Sequence, residues 1–285
     1  MVATNQMRRE AAKRKLERQQ LRRVRQARRR QRVAFITSVA VVIAVVVAVV
    51  LVSTLLGGDD EPTAADPGAT PTGEAAPSGE ATPAALGDCT FTPNPDEPAA
   101  RPAPVPTITQ ASTEGTVAAT LQTDRGAIPL TLDRATGPCA VESFVSLVGA
   151  GYYDGSPCHR LTTGEALRVL QCGDPTGLGT GGPGYTINDE PPTGLPSSPL
   201  GAEYATYPRG TVAMAKTAAP DSGGSQFFLV YADSTLPPEY TVFGTIGEEG
   251  LTVLDAVAQA GADDANGAGD GAPVTPVTIQ SVTLA

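Results

Sequence analysis

Twenty-four consecutive residues without a charge, 33–56, divide this chain into parts that cannot share one fold. The run is rich in Val, Ala and Ile, and about 20 apolar residues suffice to cross a bilayer as a helix. Charge changes sign across it. Residues 1–32 carry 13 Lys/Arg against Glu10 and Glu17, a net of +11, whereas residues 57–285 carry 7 against 28 Asp/Glu, a net of −21. The basic flank predicts a single-pass protein of the cell membrane, N-terminus cytoplasmic and C-terminal part extracytoplasmic. A cleaved secretory signal has a shorter apolar core, about 7–15 residues, behind a shorter basic stretch. A nucleic-acid arm is disfavoured as well. The basic residues 8–32 abut the apolar run, where they suit anionic lipid heads, and the acidic remainder repels phosphate.

Beyond the apolar run, residues 57–113 are dominated by Pro, Ala, Gly, Thr and Glu. Such a segment buries too little apolar surface to offset its ordering entropy, so it reads as an acidic, extended linker. Residues 114–285 are long enough for one compact domain. Short β-type runs separated by Gly and Pro dominate it. Val141, Phe144, Val145 and Val148 recur at helical spacing, and Leu251, Leu254 and Val257 suggest a second helix. Pattern alone therefore stops at a mainly β fold with two helices.

The chemistry-bearing residues are few. In Gly224-Ser225-Gln226-Phe227-Phe228, the period of a strand turns Gln226 and Phe228 to one side and Phe227 to the other. An arginine beside them adds a planar fork of donors with a permanent charge. That set contains neither nucleophile nor general base. It suits gripping a peptide carbonyl and an apolar ring while polarising the bond between them. His159 is the only histidine and no Gly-x-Ser-x-Gly occurs, so a Ser-His-Asp hydrolase is poorly supported. The match of residues 177–182 to Gly-x-Gly-x-x-Gly runs straight into Pro183-Gly184 rather than a helix, so it reads as a loop. No cofactor or metal is expected: there is no Cys-x-x-Cys, and one histidine makes zinc ligation a poor fit. Cys89, Cys139, Cys158 and Cys172 allow two disulfides in an extracytoplasmic setting, with three possible pairings.

The ordered blocks Cys158-His159-Arg160, Gln171-Cys172-Gly173-Asp174, Thr211-Val212-Ala213-Met214-Ala215, Gly224 to Phe228 and Val242-Phe243-Gly244 resemble the cyclophilin family of peptidyl-prolyl cis-trans isomerases. The resemblance runs from about Gly115 to the C-terminus. With the topology, it points toward membrane-anchored actinobacterial cyclophilins. It implies a closed eight-stranded antiparallel barrel capped by two α-helices, and rotation about X–Pro bonds in exported or cell-envelope proteins. Arg160, Gln226 and Phe228 would be catalytic. Val169, Gln171, Met214, Leu236 and Tyr240 would line the substrate site, with Ala215, Lys216 and Thr217 as an edge for substrate backbone. Proline-containing polypeptides would be the partners, the membrane would hold the anchor, and the catalytic domain would act as a monomer. A catalytically weak proline-peptide-binding module on the same tether is the alternative.

Three departures from the family pattern bear on the site. The loop 162–168 is longer than usual, Thr235 stands where an aromatic residue is common, and Tyr240 stands where histidine is common. A less aromatic pocket with weak affinity for cyclosporin-type macrocycles follows. His159 is expected to be a satisfied structural histidine. In the hairpin that the resemblance implies, a Cys158–Cys172 bridge would steady Arg160, and Cys89–Cys139 would pin the linker to the domain.

Overall fold

The computed structural model describes residues 85–285. The basic segment 1–32, the apolar run 33–56 and the linker as far as residue 84 lie outside the described residues. Among the described residues, no helix is long and apolar enough to cross a membrane.

The first folded pieces are short strands, β1 (Leu86–Asp88), β2 (Phe91–Pro93) and β3 (Gln110–Ser112). They belong to the stretch 57–113 expected to be linker, so ordered structure starts nearly thirty residues earlier than its composition suggested. Strand β1 pairs with β3, Cys89 and Ala111 are buried in the main core, and a disulfide joins Cys89 to Cys139. A covalent link and backbone pairing do here what apolar content alone does not.

Next come β4 (Thr116–Thr123) and β5 (Gly126–Asp133), whose alternating buried and exposed residues give each strand one core face. Gly126 at φ 130 turns the chain between them. The first helix, α1 (Pro138–Gly149), starts with proline, which suits a position whose N–H has no helical partner. Its exposed first amides are satisfied from afar: Glu190 accepts from the N–H groups of Cys139 and Ala140 at 2.9 and 3.0 Å. Leu147 is fully buried in place of the expected Val145 and Val148, which are only half-buried. The N-terminal strands pack on α1 too, so the covered face is broader and rotated.

The remaining strands are β6 (Ser156–Pro157), β7 (Arg160–Thr162), β8 (Val169–Cys172), β9 (Tyr185–Ile187), β10 (Ala205–Tyr207), β11 (Thr211–Met214), β12 (Phe227–Val230), β13 (Ser234–Leu236), β14 (Val242–Ile246), β15 (Asp270–Gly271) and β16 (Thr278–Leu284). Between β14 and β15 lies α2 (Glu248–Ala260), which buries Leu251, Leu254 and Val257 as the sequence predicts. Glu248 and Glu249 sit in its first turn, where negative charge suits the helix dipole.

One antiparallel sheet carries the order β15-β7-β8-β12-β11-β14-β5-β4-β16-β6. It curls, because β6 and β7 are separated only by Cys158-His159. Cys158 N–H donates to Val277 at 2.9 Å, and His159 N–H donates to Gln171 at 3.0 Å. The chain thus passes from one margin of the sheet to the other within two residues. Phe144, Tyr153, Phe227 and Phe243 pack together at the centre of the enclosed core.

Candidate functional site

Sheet register builds the site. Arg160 lies opposite Gln171, Gln171 opposite Phe228, and Phe228 opposite Ala213. Cross-strand partners share a face, and neighbouring strands are about 4.8 Å apart. The four residues therefore form one row on the outer face, with the Arg160 and Phe228 backbones roughly 10 Å apart. The alternate residues Leu161, Leu170, Phe227 and Leu229 fill the enclosed core.

A second apolar cluster grows on that outer face around Phe228, Val169, Tyr207, Ala213 and Val230, with Leu236 and Tyr240 packed against it. Phe228 meets Tyr240 edge to face, ring centroids 5.6 Å apart, and Tyr207 at 6.4 Å. Tyr207, which the sequence reading missed, restores aromatic surface that the Thr235 substitution suggested was absent. Its hydroxyl donates to the carbonyls of Pro237 and Tyr240 at 3.2 and 3.3 Å and so ties the pocket wall together. The long loop 162–168 adds Leu167 to the cluster, held where Thr235 N–H donates to Ala166 at 2.7 Å.

Met214 is a correction. It pairs with Phe227, not with Phe228, and belongs to the enclosed core. Strand alternation sends it to the face away from the site.

Polar groups run from Arg160 along the row. Its Nη1 donates to Gln171 Oε1 at 3.3 Å, Gln171 Nε2 donates to Gln226 Oε1 at 2.9 Å, and Gln226 Nε2 donates to the Gly181 carbonyl at 2.9 Å. Gly181 is itself held by Asp174, the fully buried aspartate of the Gln-Cys-Gly-Asp block. That carboxylate accepts from Thr176, Thr180 and Gly181 N–H groups at 2.7, 3.1 and 2.9 Å. Burial alone would raise its pKa; the hydrogen bonds from Gly181 and Thr176 outweigh this and hold it below the ordinary value. The glycine-rich loop 177–182 is thus folded around a carboxylate. At the other end, Arg160 forms a two-point pair with Asp270, which raises the arginine's pKa and lowers that of the aspartate.

Beside Gln171 and Gln226 opens a cavity of about 280 Å³, bordered by Ala215, Lys216 and Thr217 and, from the N-terminal segment, by Asn94 and Glu97. Along that expected substrate edge, Ala215 N–H donates to Gln226 at 2.9 Å and Thr217 N–H to Ser222 Oγ at 3.1 Å. Lys216 Nζ is paired with Asp189 at 2.5 Å. His159 is half-buried, and its two ring nitrogens are shielded from solvent with no hydrogen-bond partner, contrary to the satisfied histidine expected. Burial lowers its pKa, with the Asp174 charge opposing and Arg160 assisting.

The disulfides follow the expected pairing, Cys89–Cys139 and Cys158–Cys172, and no cysteine is free. Among the described residues no group of His, Cys, Asp and Glu is arranged to hold a metal.

The model of the family described as cyclophilin type peptidyl-prolyl cis-trans isomerase/CLD matches residues 118–284. The chain belongs to the cyclophilin family. Among cyclophilin relatives, a probable peptidyl-prolyl cis-trans isomerase B of Mycobacterium leprae is 50% identical over 200 residues, 69% of this chain and 66% of that protein. Its counterpart in Mycobacterium tuberculosis is 50% identical over 200 residues, 64% of its own length. The chain thus spans just under two thirds of the length of these two relatives. A crystal structure of a cyclophilin type peptidyl-prolyl cis-trans isomerase from Cryptosporidium parvum aligns with TM-score 0.47 and 26% identity, over 60% of this chain and 98% of that one.

Proposed function

We propose that this cyclophilin catalyses cis–trans isomerisation of X–Pro bonds in polypeptides. The row Arg160–Gln171–Phe228 on one sheet face carries the reading. Partial double-bond character opposes rotation with a barrier of ~18–20 kcal/mol, and no covalent step is needed to lower it. The cluster around Phe228 accepts the proline ring, with Val169, Leu236, Tyr207 and Tyr240 as walls. Of the five guanidinium N–H groups of Arg160, three are engaged by Asp270 and Gln171. The other two are available to the imide, whose nitrogen regains a lone pair as the bond twists. A donor that is stronger for the twisted state lowers the barrier selectively. Gln171 and Gln226 take substrate backbone, and the edge Ala215–Lys216–Thr217 guides the residues before proline.

We read the curled sheet as a closed eight-stranded barrel, counting β6 and β7 as one bent strand and β15 as an addition. The run 33–56 serves as a membrane anchor that puts the domain on the extracytoplasmic side. Two disulfides support that reading, since such bonds persist in oxidising compartments. Exported proteins with X–Pro bonds are then the substrates, and the domain works as a monomer.

The test is isomerisation of a succinyl-Ala-Ala-Pro-Phe peptide by wild type and Arg160→Ala. Wild type accelerates exchange, and the variant loses about 10²-fold in kcat/KM, the usual effect of deleting one preorganised donor. A wild type that binds the peptide without accelerating its exchange would instead favour the proline-peptide-binding module, and an Arg160→Ala variant as active as wild type would remove Arg160 from the mechanism.

A further inference from the structure

The residue gripping Arg160 comes from 110 positions further along the chain. Asp270 Oδ1 accepts from Nε at 2.8 Å and Oδ2 from Nη2 at 2.6 Å. The carboxylate is anchored. Its own strand β15 pairs with β7, Asp270 opposite Thr162 and Gly271 opposite Leu161, so the backbone that carries the aspartate is bonded to the one that carries the arginine. Asn266 Nδ2 donates to Asp270 Oδ1 at 3.2 Å, and Asp270 N–H donates to the Gly267 carbonyl at 2.9 Å. Just before it, Gly269 N–H donates to Asp264 Oδ1 at 2.8 Å, and Thr163 N–H donates to the Gly269 carbonyl at 2.8 Å.

We infer that Asp270 is a positioning residue, fixing the plane of the Arg160 guanidinium so that one N–H on Nη1 and one on Nη2 stay aimed at the bound imide. The inference rests on the isomerase reading of the site. A free arginine side chain samples many rotamers, whereas a planar group held at Nε, Nη2 and Nη1 has no such freedom. Stability is a minor consequence. The two side chains are 34% and 29% exposed, and pairs this open to water add little. Nor is Asp270 built as a competitor for substrate to displace. Such a carboxylate belongs on a loose segment and on the outer Nη1/Nη2 edge, but this one sits on a paired strand and takes the Nε side.

The experiment uses the full chain in detergent micelles, with Asp270→Asn and Asn266→Ala. For each, kcat and KM on an Ala-Pro peptide are measured separately, and modification of Arg160 by phenylglyoxal is followed by peptide mass. Asp270→Asn lowers kcat about tenfold with KM within about twofold, and Arg160 is modified faster than in wild type. Asn266→Ala, which loosens the carboxylate without removing it, lowers kcat about threefold, and it decides the matter if Asp270→Asn does not fold. Active wild type with unchanged kcat in both variants overturns the positioning role alone. A rise in kcat overturns it too, because the carboxylate would then be a competitor. Inert wild type sinks the isomerase reading first, and this inference with it.

Discussion

Phe228 and Tyr240 pack edge to face with ring centroids 5.6 Å apart and planes 80° to each other. Phe227, its neighbour in the chain, makes the same kind of contact on the opposite face, with Phe144 at 5.6 Å and Tyr153 at 5.7 Å. One residue of alternation separates the binding surface from the core.

That split predicts opposite outcomes for two adjacent truncations. Phe227→Ala opens a cavity in the enclosed core and costs about 3–5 kcal/mol of stability. Phe228→Ala costs less stability but lowers kcat/KM by about 10²-fold, because the floor of the proline pocket is gone. Urea melts and peptide kinetics on both variants decide. A Phe228→Ala enzyme with normal kcat/KM contradicts the assignment.

Gly173 bears on the same site from behind. It adopts φ 93, and a Cβ there would stand 2.3 Å from the Ser225 carbonyl. Ser225 precedes Gln226, so Gly173→Ala pushes the glutamine out of line as well as straining the backbone. We expect a loss of about 2 kcal/mol or more in stability, together with a fall in kcat/KM. A variant that matches wild type in both would show that Gln226 tolerates displacement.

The disulfides predict unequal effects of reduction. Cys89–Cys139 closes a separation of 50 residues and Cys158–Cys172 one of 14. On the chain-entropy estimate the first contributes about 4 kcal/mol and the second about 3 kcal/mol. Paired Cys→Ser variants should therefore melt in that order, the Cys89/Cys139 pair lower. Calorimetric midpoints in the reverse order would count against it.

His159 sets a pH dependence. Its folded pKa lies below the ordinary 6.5, chiefly through burial. The unfolded chain therefore takes up a proton first as pH falls, and stability present above about pH 6.5 is lost below it, down to the folded value. Asp174 and Asp270, depressed from 3.8, lose their contribution only at lower pH. Glu190, raised from 4.5 mainly by burial, acts with the opposite slope. His159→Gln isolates the histidine, and its urea midpoint should vary less than that of wild type between pH 5 and 6.5. Identical slopes for the two proteins would remove His159 from the account.

Much of the site was legible because period two is local. Gln226 and Phe228 share a face whatever lies around them, and Arg160 and Gln171 join them on the outer row. The same rule separates Met214 from Phe228, since Met214 lies opposite Phe227. The segment 86–112 was hidden, because its Pro- and Ala-rich composition carries no apolar period; it is held by Cys89–Cys139 and by bonds such as Ala100 N–H to Gly182 at 2.9 Å. Tyr207 was hidden for a related reason, coming from a three-residue strand paired with β13 rather than from any motif of the row.

From residue order alone came the mainly β domain, its two helices, the four cysteines as two bridges, and the alternation that gathers an amide and a ring on one side. Tertiary structure alone chose Asp270, one of 28 acidic residues in the C-terminal part, as the partner of Arg160. The physical reason is distance along the chain. Alternation and helical spacing act over a few residues, but a contact between positions 110 apart exists only once the curled sheet has laid β15 beside β7.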